Sequence, residues 1–367
     1  MKIYDYIIIG AGIAGSSTAY FLAQKTDSLL LIDKKSEVGD AASGAAGAFL
    51  SPLLGKPNKF KDLVTSALKF STDFYMKNFA DCIDNCGTLR IPKDEKDREK
   101  FESYKDSMDF KYEEKHNGYF FKIGSVVKSQ KLCQALTKDI EKKLGYEVKS
   151  LCQKENIWKI NDQIQAKNII WCSGADVSLL DEKYLGIRPV WGQRIDIKTK
   201  SLFKYNYHKE CSVSKSFETK EKDAYIVSIG ATHHRNVLDK EVDNSDTEQL
   251  LKKASDIVEL DGCEVLNLYG GARASSMDYF PMIGKLINSS KTLQEFPHMK
   301  HGSFVDESKF TMYENLYIFN GVGGRGFVLS PYLANELVNY IFEHKDIDSD
   351  ILPNRLFKRW VKKGNLK

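Results

Sequence analysis

The sequence predicts an α/β protein of two lobes, and three observations carry that expectation. A strand, a glycine-rich turn, a helix and a second strand are packed into the first 33 residues. A second glycine-rich turn leads into a helix near the carboxyl end. The chain has 367 residues, more than one hydrophobic core is expected to serve. Hydrophobic residues make up 42%, enough to fill real cores and to argue against wholesale disorder.

The elements follow in order. Ile3–Ile9 is a β-rich apolar run that ends at Gly10-Ala-Gly12-Ile-Ala-Gly15. A helical pattern follows to about Lys25, with Ala14, Ala19, Phe21 and Leu22 on or near its inner side. Leu29–Ile32 reads as a buried strand ending at Asp33. Residues 58–80 read as a helix, 93–116 as a charged, weakly periodic stretch, and 128–144 as an amphipathic helix. Short strands and turns are expected across 145–235, including Lys167–Trp171, then a helix over 245–257. A strand over 316–320 enters the second glycine turn, and a helix is expected from about Pro331 to Glu343. No repeat or long linker is present, so the middle is expected to fold as an insertion against the first lobe.

Other features bound the class. No run of about 18 apolar residues is present to span a membrane. The chain opens directly on a strand, without a secretory apolar region. Seven scattered cysteines, of which Cys82 and Cys86 have no second pair at zinc-ligand spacing, fit reduced thiols in a cytoplasmic protein without a metal. A net charge of +4 permits a polyanionic partner and equally fits a lysine-rich genome bias.

The three amino-terminal glycines have separate reasons. Gly10 allows the tight turn out of the strand, Gly12 lets backbone approach a pyrophosphate, and Gly15 lets the helix pack on the sheet. Ile13 and Ala14 begin the helix whose N–H groups and dipole would hold that pyrophosphate. Asp33, 18 residues after Gly15, is placed to accept from ribose hydroxyls, with Lys34 beside it. This much fits NAD or FAD. Two further clusters favour FAD. Ala41–Ala48, with Ala42, Ser43, Ala46 and Gly47, supplies small residues that admit a bulky planar ligand. Asn320-Gly-Val-Gly-Gly-Arg-Gly-Phe327, with Gly321, Gly323, Gly324 and Gly326, supplies a second N–H-rich turn suited to a flavin's pyrimidine end.

With these residues in place, the sequence resembles the D-amino-acid-oxidase-like family of FAD enzymes, which includes glycine oxidase, sarcosine oxidase and D-amino-acid dehydrogenase. The resemblance rests on the amino-terminal glycines, Ala42-Ser43-Gly44, Trp171-Cys-Ser-Gly174, Arg273 with Asp278 and Pro281, and Gly321–Gly326, and spans nearly the whole chain. One branch is most similar: the oxidoreductase domain of the tRNA-modifying MnmC proteins. Ala42–Leu54, Cys86-Gly-Thr-Leu, Ile229–Arg235, Arg273–Gly284 and Pro353–Arg359 resemble motifs of that branch. Met277 departs from it, standing where arginine is frequent. A methyltransferase domain precedes the FAD domain in that branch, whereas this sequence opens on the FAD motif. The expectation is a chain that performs the oxidative half alone, with a separate methyltransferase acting on its product.

The resemblance implies a Rossmann-like FAD-binding domain over 1–80, 145–190 and 262–367. An interleaved antiparallel-sheet substrate domain over 81–144 and 191–261 completes the expected fold. It adds Val148 and Ser173 to the FAD contacts. It also implies oxidation of 5-carboxymethylaminomethyl-uridine at the tRNA wobble position, releasing glyoxylate. Arg273 is the candidate clamp for the substrate carboxylate, since a guanidinium offers two parallel hydrogen bonds; a structural pair with Asp278 is the alternative. His234, or its neighbour His233, is a candidate substrate contact or a structural residue. Arg325 either stabilises the reduced flavin's charge or caps the turn. Arg355, Lys358, Arg359, Lys362, Lys363 and Lys367 form a candidate basic stripe for tRNA phosphates. Two other readings stay open: oxidation of free glycine, sarcosine or D-amino acids, and flavin binding without turnover.

Overall fold

A computed structural model gives the structure of the protein and describes residues 2–364. β1 (Ile3–Ile9) lies between β2 (Leu29–Ile32) and the strand Ile164–Trp171, all parallel, with Ile7 opposite Leu30 and Ile8 opposite Ile170. Met312–Asn320 extends the parallel sheet beyond Ile164–Trp171, and Glu141–Lys143 extends it beyond β2. Antiparallel additions bring the sheet to eight strands.

Alternate side chains of these strands feed two cores. Ile8, Leu31, Ile170 and Phe319 face one, with α1 (Ile13–Leu22), the helix Gly326–Glu343 and, after the short α2 (Ala42–Ala45), α3 (Lys59–Asn78). Ile7, Ile9, Leu30, Ile32, Trp171 and Ile318 face the other, with Leu356, Phe357 and Val361 of the helix Asn354–Lys362. Burial on both faces is why β1 and β2 read as unbroken apolar runs. Each such side chain contributes about 1.5–3 kcal/mol.

The second sheet has ten strands and is mainly antiparallel. Its spine is the pair Arg188–Thr199 and Glu264–Ser275, with Val190 opposite Arg273 and Gly192 opposite Gly271. The helix Asn244–Ser255 packs Leu250 and Ala254 onto Ile195, Ile197, Val227 and Ile229 of this sheet. Among the described residues no helix is long and apolar enough to cross a membrane.

Several sequence expectations change. The helix expected over 128–144 is only Ser129–Leu136, and the chain then spends Glu141–Lys143 on the open edge of β2; edge pairing outweighs local helical preference. The helix expected from Pro331 begins at Gly326, with Pro331 inside it. Proline removes the N–H that would bond the Phe327 carbonyl. The Tyr75 hydroxyl donates to that carbonyl at 3.0 Å, and Ser71 Oγ donates to Val328 O at 2.7 Å, so α3 replaces what proline takes away. The strand Arg188–Thr199 has 12 residues, longer than the short strands expected there. By pairing, Glu141–Lys143 joins the eight-stranded sheet and Glu264–Ser275 the ten-stranded one, while Leu132, Cys133 and Leu136 pack into the core beneath β1 and β2.

Candidate active site

The glycine turn is built by contacts that tolerate no side chain. Gly10 has φ +108°, and a Cβ there would lie 2.3 Å from Cys172 O. A Cβ on Gly15 would lie 1.8 Å from Gly10 O, so the helix and turn touch backbone to backbone. Gly12 caps α1, and Ser43 Oγ accepts from Ile13 N at 2.9 Å, which puts a hydroxyl on the helix N-terminus. Asp33 accepts from Ala11 N at 2.6 Å and from Lys35 N at 2.7 Å, clasping the turn to the end of β2.

A cavity of about 770 Å³ opens from this turn toward the antiparallel sheet. Its wall includes Gly12, Ile13, Ala14, Ala42, Ser43, Ala46, Gly47 and Gly174, and the whole second turn from Gly321 to Phe327. Asn320 Nδ2 donates to Gly174 O at 2.9 Å and ties the two glycine segments together. Gly321 and Gly323 take φ of +78° and +55°, which turns the chain sharply into the helix Gly326–Glu343. Two helix N-termini therefore border one cavity, with small residues between them. Each presents free N–H groups and positive dipole charge to whatever occupies it.

The cavity's charge is one-sided. Arg90, Arg188, Arg235, Arg273 and Arg325 line it, against a single acid, Glu210. Arg273 Nη1 donates to Thr232 O at 3.2 Å and, at the limit of a hydrogen bond, to Val190 O at 3.5 Å. Desolvation shifts this guanidinium downward, and among the described residues no carboxylate pairs with it. Asp278 does not pair with it. Asp278 instead takes a two-pronged contact from Arg355, at 3.0 and 3.1 Å. Arg325 is likewise desolvated, its guanidinium pushed down to about 10.

His233 faces the cavity; desolvation first and the Arg273 charge second hold its imidazole down to about 4. His208, also in the wall, is held well below its ordinary value by burial and then by Arg90 and Arg325. Its Nδ1 lies 2.7 Å from Ser212 Oγ. Both imidazoles are neutral near pH 7.

Other expected residues lie elsewhere. His234 turns away from the cavity. Its Nε2 lies 2.8 and 2.9 Å from the oxygens of Asp246, which also accept from Lys240. It fastens the helix Asn244–Ser255 to the sheet, so His233 takes its expected place. Lys34 pairs with Asp176 at 3.1 Å, Ser173 donates to Asp176 O, and Val148 packs against the second core; none of the three lines the cavity. The basic stripe is reduced, because Arg355 is spent on Asp278 and Lys358 on Glu307. Arg359, Lys362 and Lys363 remain exposed, and Lys367 lies outside the described residues. Arg90, Arg188, His208 and Tyr279 went unread. Arg90 sits on a three-residue strand and carries no periodic signal, while Tyr279 has φ +69°, which no sequence pattern announces.

The chain matches the DAO family of FAD-dependent oxidoreductases over residues 5–340. It belongs to that family. FAD is thus its cofactor, and the residues fit the group: Gly12, Ala42, Ala46, Gly47 and the glycines of the second turn line one large cavity with small residues, between the N-termini of α1 and of the helix Gly326–Glu343. As a member the chain is an FAD-dependent oxidoreductase of the type acting on carbon–nitrogen bonds of amines.

Two curated relatives are bifunctional MnmC proteins of tRNA 5-methylaminomethyl-2-thiouridine biosynthesis. The one from Campylobacter fetus is 25% identical, over 99% of this chain and 61% of its own length. The one from Shewanella amazonensis is 24% identical, over 98% of this chain and 60% of its own. The chain thus spans about 60% of the length of the curated relatives it matches. Among solved structures, glycine oxidase from Geobacillus kaustophilus superposes with a TM-score of 0.74 at 17% identity, covering 95% of this chain and 96% of that one. The expected FAD-binding fold of the DAO type is the observed one.

Proposed function

We propose that this protein oxidises the N-carboxymethyl arm of 5-carboxymethylaminomethyl-uridine, with or without 2-thiolation, at the tRNA wobble position. The observation that carries the reading is the likeness to MnmC proteins along 99% of the chain. The cavity supports it, with a desolvated Arg273 that has no acid of its own. The reacting unit is an N-substituted glycine. When bound, FAD supplies the oxidant, a hydride acceptor for the methylene carbon between nitrogen and carboxylate. Arg273 holds the carboxylate by its guanidinium fork and so fixes which carbon is presented. Loss of hydride leaves an imine on the substrate. Water adds to its carbon, the C–N bond breaks, glyoxylate leaves, and the aminomethyl-uridine stays on the tRNA. The neutral His233 and His208 are available to orient water.

Tyr279 suits the nucleoside. It lines the cavity, is 64% exposed, and lies with its ring centroid 5.7 Å from the Arg188 guanidinium. Arg188 in turn donates to Ser276 O and Met277 O at 3.2 and 3.3 Å, so the platform is braced. A splayed base stacks on such a ring. Arg359, Lys362 and Lys363 are the cations left to meet tRNA phosphates. This reading places the protein in the cytoplasm, upstream of a methyltransferase acting on the primary amine.

Nucleoside mass spectrometry on tRNA from a deletion strain tests it. Accumulation of the carboxymethylaminomethyl nucleoside is expected. An unchanged profile, with flavin reduction by free glycine, would replace it by the second reading, a free amino-acid oxidase, which the fold shared with glycine oxidase favours.

A further inference from the structure

Arg90 carries chemistry that neither the cofactor turns nor Arg273 uses. It ends the short strand Thr88–Arg90 of the substrate sheet, outside all three glycine-rich segments. Its Nη1 donates to Pro52 O at 2.9 Å and reaches Ser51 Oγ at 3.5 Å, while its Nε is buried with no partner. Burial pushes the guanidinium down to about 10, with the Arg325 charge as the second cause; Asp97 opposes this only as the last and smallest influence. His208 beside it is neutral and supplies no counter-charge. The Arg325 charge adds to the burial of Arg90, and both line a cavity whose one lining acid among the described residues is Glu210, which makes a site that is costly until an anion fills it. Arg273 already answers to one carboxylate, and it lies on a different strand, Glu264–Ser275.

We propose that Arg90, with Arg325 in the same cavity wall, forms a second oxyanion site in the cavity, so that the preferred substrate is a dianionic amine: one carboxylate on Arg273 and a second oxyanion, carboxylate or phosphate, on Arg90. The proposal rests on the amine-oxidising reading of the cavity and deepens it by naming the substrate class. An N-substituted glycine whose other nitrogen substituent ends in a carboxylate satisfies it. So does a pyrimidine nucleotide bearing the glycine arm at C5, because that edge of the base faces its own 5′ phosphate. Arg90 is a specificity-determining residue here, since the bond that breaks is presented by Arg273.

Ether analogues separate binding from turnover. Methoxyacetate has the shape of N-methylglycine and one charge; diglycolate has the shape of iminodiacetate and two. Neither can be oxidised as an amine. Calorimetric titration of the FAD-loaded protein is expected to give diglycolate the tighter binding by roughly tenfold or more. In Arg90→Gln that ratio is expected to collapse to within about threefold, and Arg90→Lys, which keeps a point charge without the fork, to retain part of it. Equal affinities in the parent protein overturn the proposal. So does a ratio that survives Arg90→Gln, and a loss of FAD from that variant with the ratio kept would put Arg90 against the cofactor instead. Anaerobic flavin reduction by iminodiacetate is measured beside it. Diglycolate preference without reduction by any amine keeps the anion site and removes the oxidase reading. The source is assigned by comparing the modified uridine with its 5′-monophosphate: a preference for the monophosphate that Arg90→Gln abolishes supports a phosphate. Equal use of the two, with the diglycolate preference intact, supports a carboxylate.

Discussion

Replacing Arg273 with methionine should weaken substrate binding while leaving the fold as stable as before, or more so. The guanidinium has five N–H donors. One nitrogen, Nη1, is engaged, by Thr232 O at 3.2 Å and marginally by Val190 O at 3.5 Å. Burial lowers its pKa, and among the described residues no carboxylate pairs with it. A buried cation in that condition costs the free protein energy that bound substrate would return. Methionine keeps much of the volume and removes the charge, so the melting temperature of the ligand-free variant should equal or exceed that of the parent. The ligand side runs the other way. Two charge-assisted hydrogen bonds to a carboxylate, at about 1.5–3 kcal/mol each, amount to roughly 3–6 kcal/mol, or about 10²–10⁴ in affinity. The assay is anaerobic titration of the flavin absorbance with an N-substituted glycine, run beside thermal melts of the FAD-loaded protein. Binding within threefold of the parent would refute the clamp. A melting temperature lowered by more than about 4 °C would refute the claim that Arg273 is held for function at a cost to the fold.

Three further outcomes are expected. Gly15→Ala forces a Cβ to 1.8 Å from the Gly10 carbonyl oxygen, so the variant should purify without FAD, if it folds at all; flavin content and near-ultraviolet circular dichroism check this. Tyr279→Ala should raise KM for a tRNA substrate about tenfold or more and spare small amines, with Tyr279→Phe near the parent, because base stacking is worth about 1–3 kcal/mol; equal losses on both substrate kinds would remove the ring from base recognition. His233, held down to about 4, stays neutral from pH 8 to pH 5, so kcat/KM should show no inflection near 6.5; an inflection there that His233→Gln abolishes would contradict this. The sign for stability is the same: an unfolded chain takes up a proton below about 6.5 that folded His233 refuses, so its contribution is neutral above that pH and destabilising as pH falls toward 4.

The parts of the site that were legible in the sequence are those set by backbone sterics. Gly10, Gly12 and Gly15 sit where a Cβ meets backbone or a facing hydroxyl, and such constraints act over a few residues. The parallel strands were legible because burial on both faces leaves an unbroken apolar run. What went unread depends on partners distant along the chain. Arg355 and Asp278 are 77 residues apart, and their pairing removed both a tRNA contact and the alternative partner of Arg273. Two adjacent histidines differ only in side, so the cavity receives His233 while Asp246 claims His234. Pro331 signalled a helix start, and only the fold brings the Tyr75 hydroxyl to the carbonyl that proline orphans.

The arginine-rich wall also bears on how a substrate amine would lose its proton. A secondary amine is an ammonium in water, and hydride can leave its neighbouring carbon only after the nitrogen loses its proton. For an amine with a single carboxylate, held by Arg273, Arg90 is left unoccupied and faces the cavity with Arg325, where Glu210 is the one lining acid among the described residues. At an effective dielectric of about 20, one such cation about 6 Å from the nitrogen disfavours the ammonium by about 2.8 kcal/mol, roughly two pK units. On the proposed function, such a field would favour the neutral amine of a singly charged substrate, with water as the proton acceptor. Neither His233 nor His208 needs to act as a base, which is consistent with both being held neutral, first by burial and then by Arg273 for His233 and by Arg90 and Arg325 for His208.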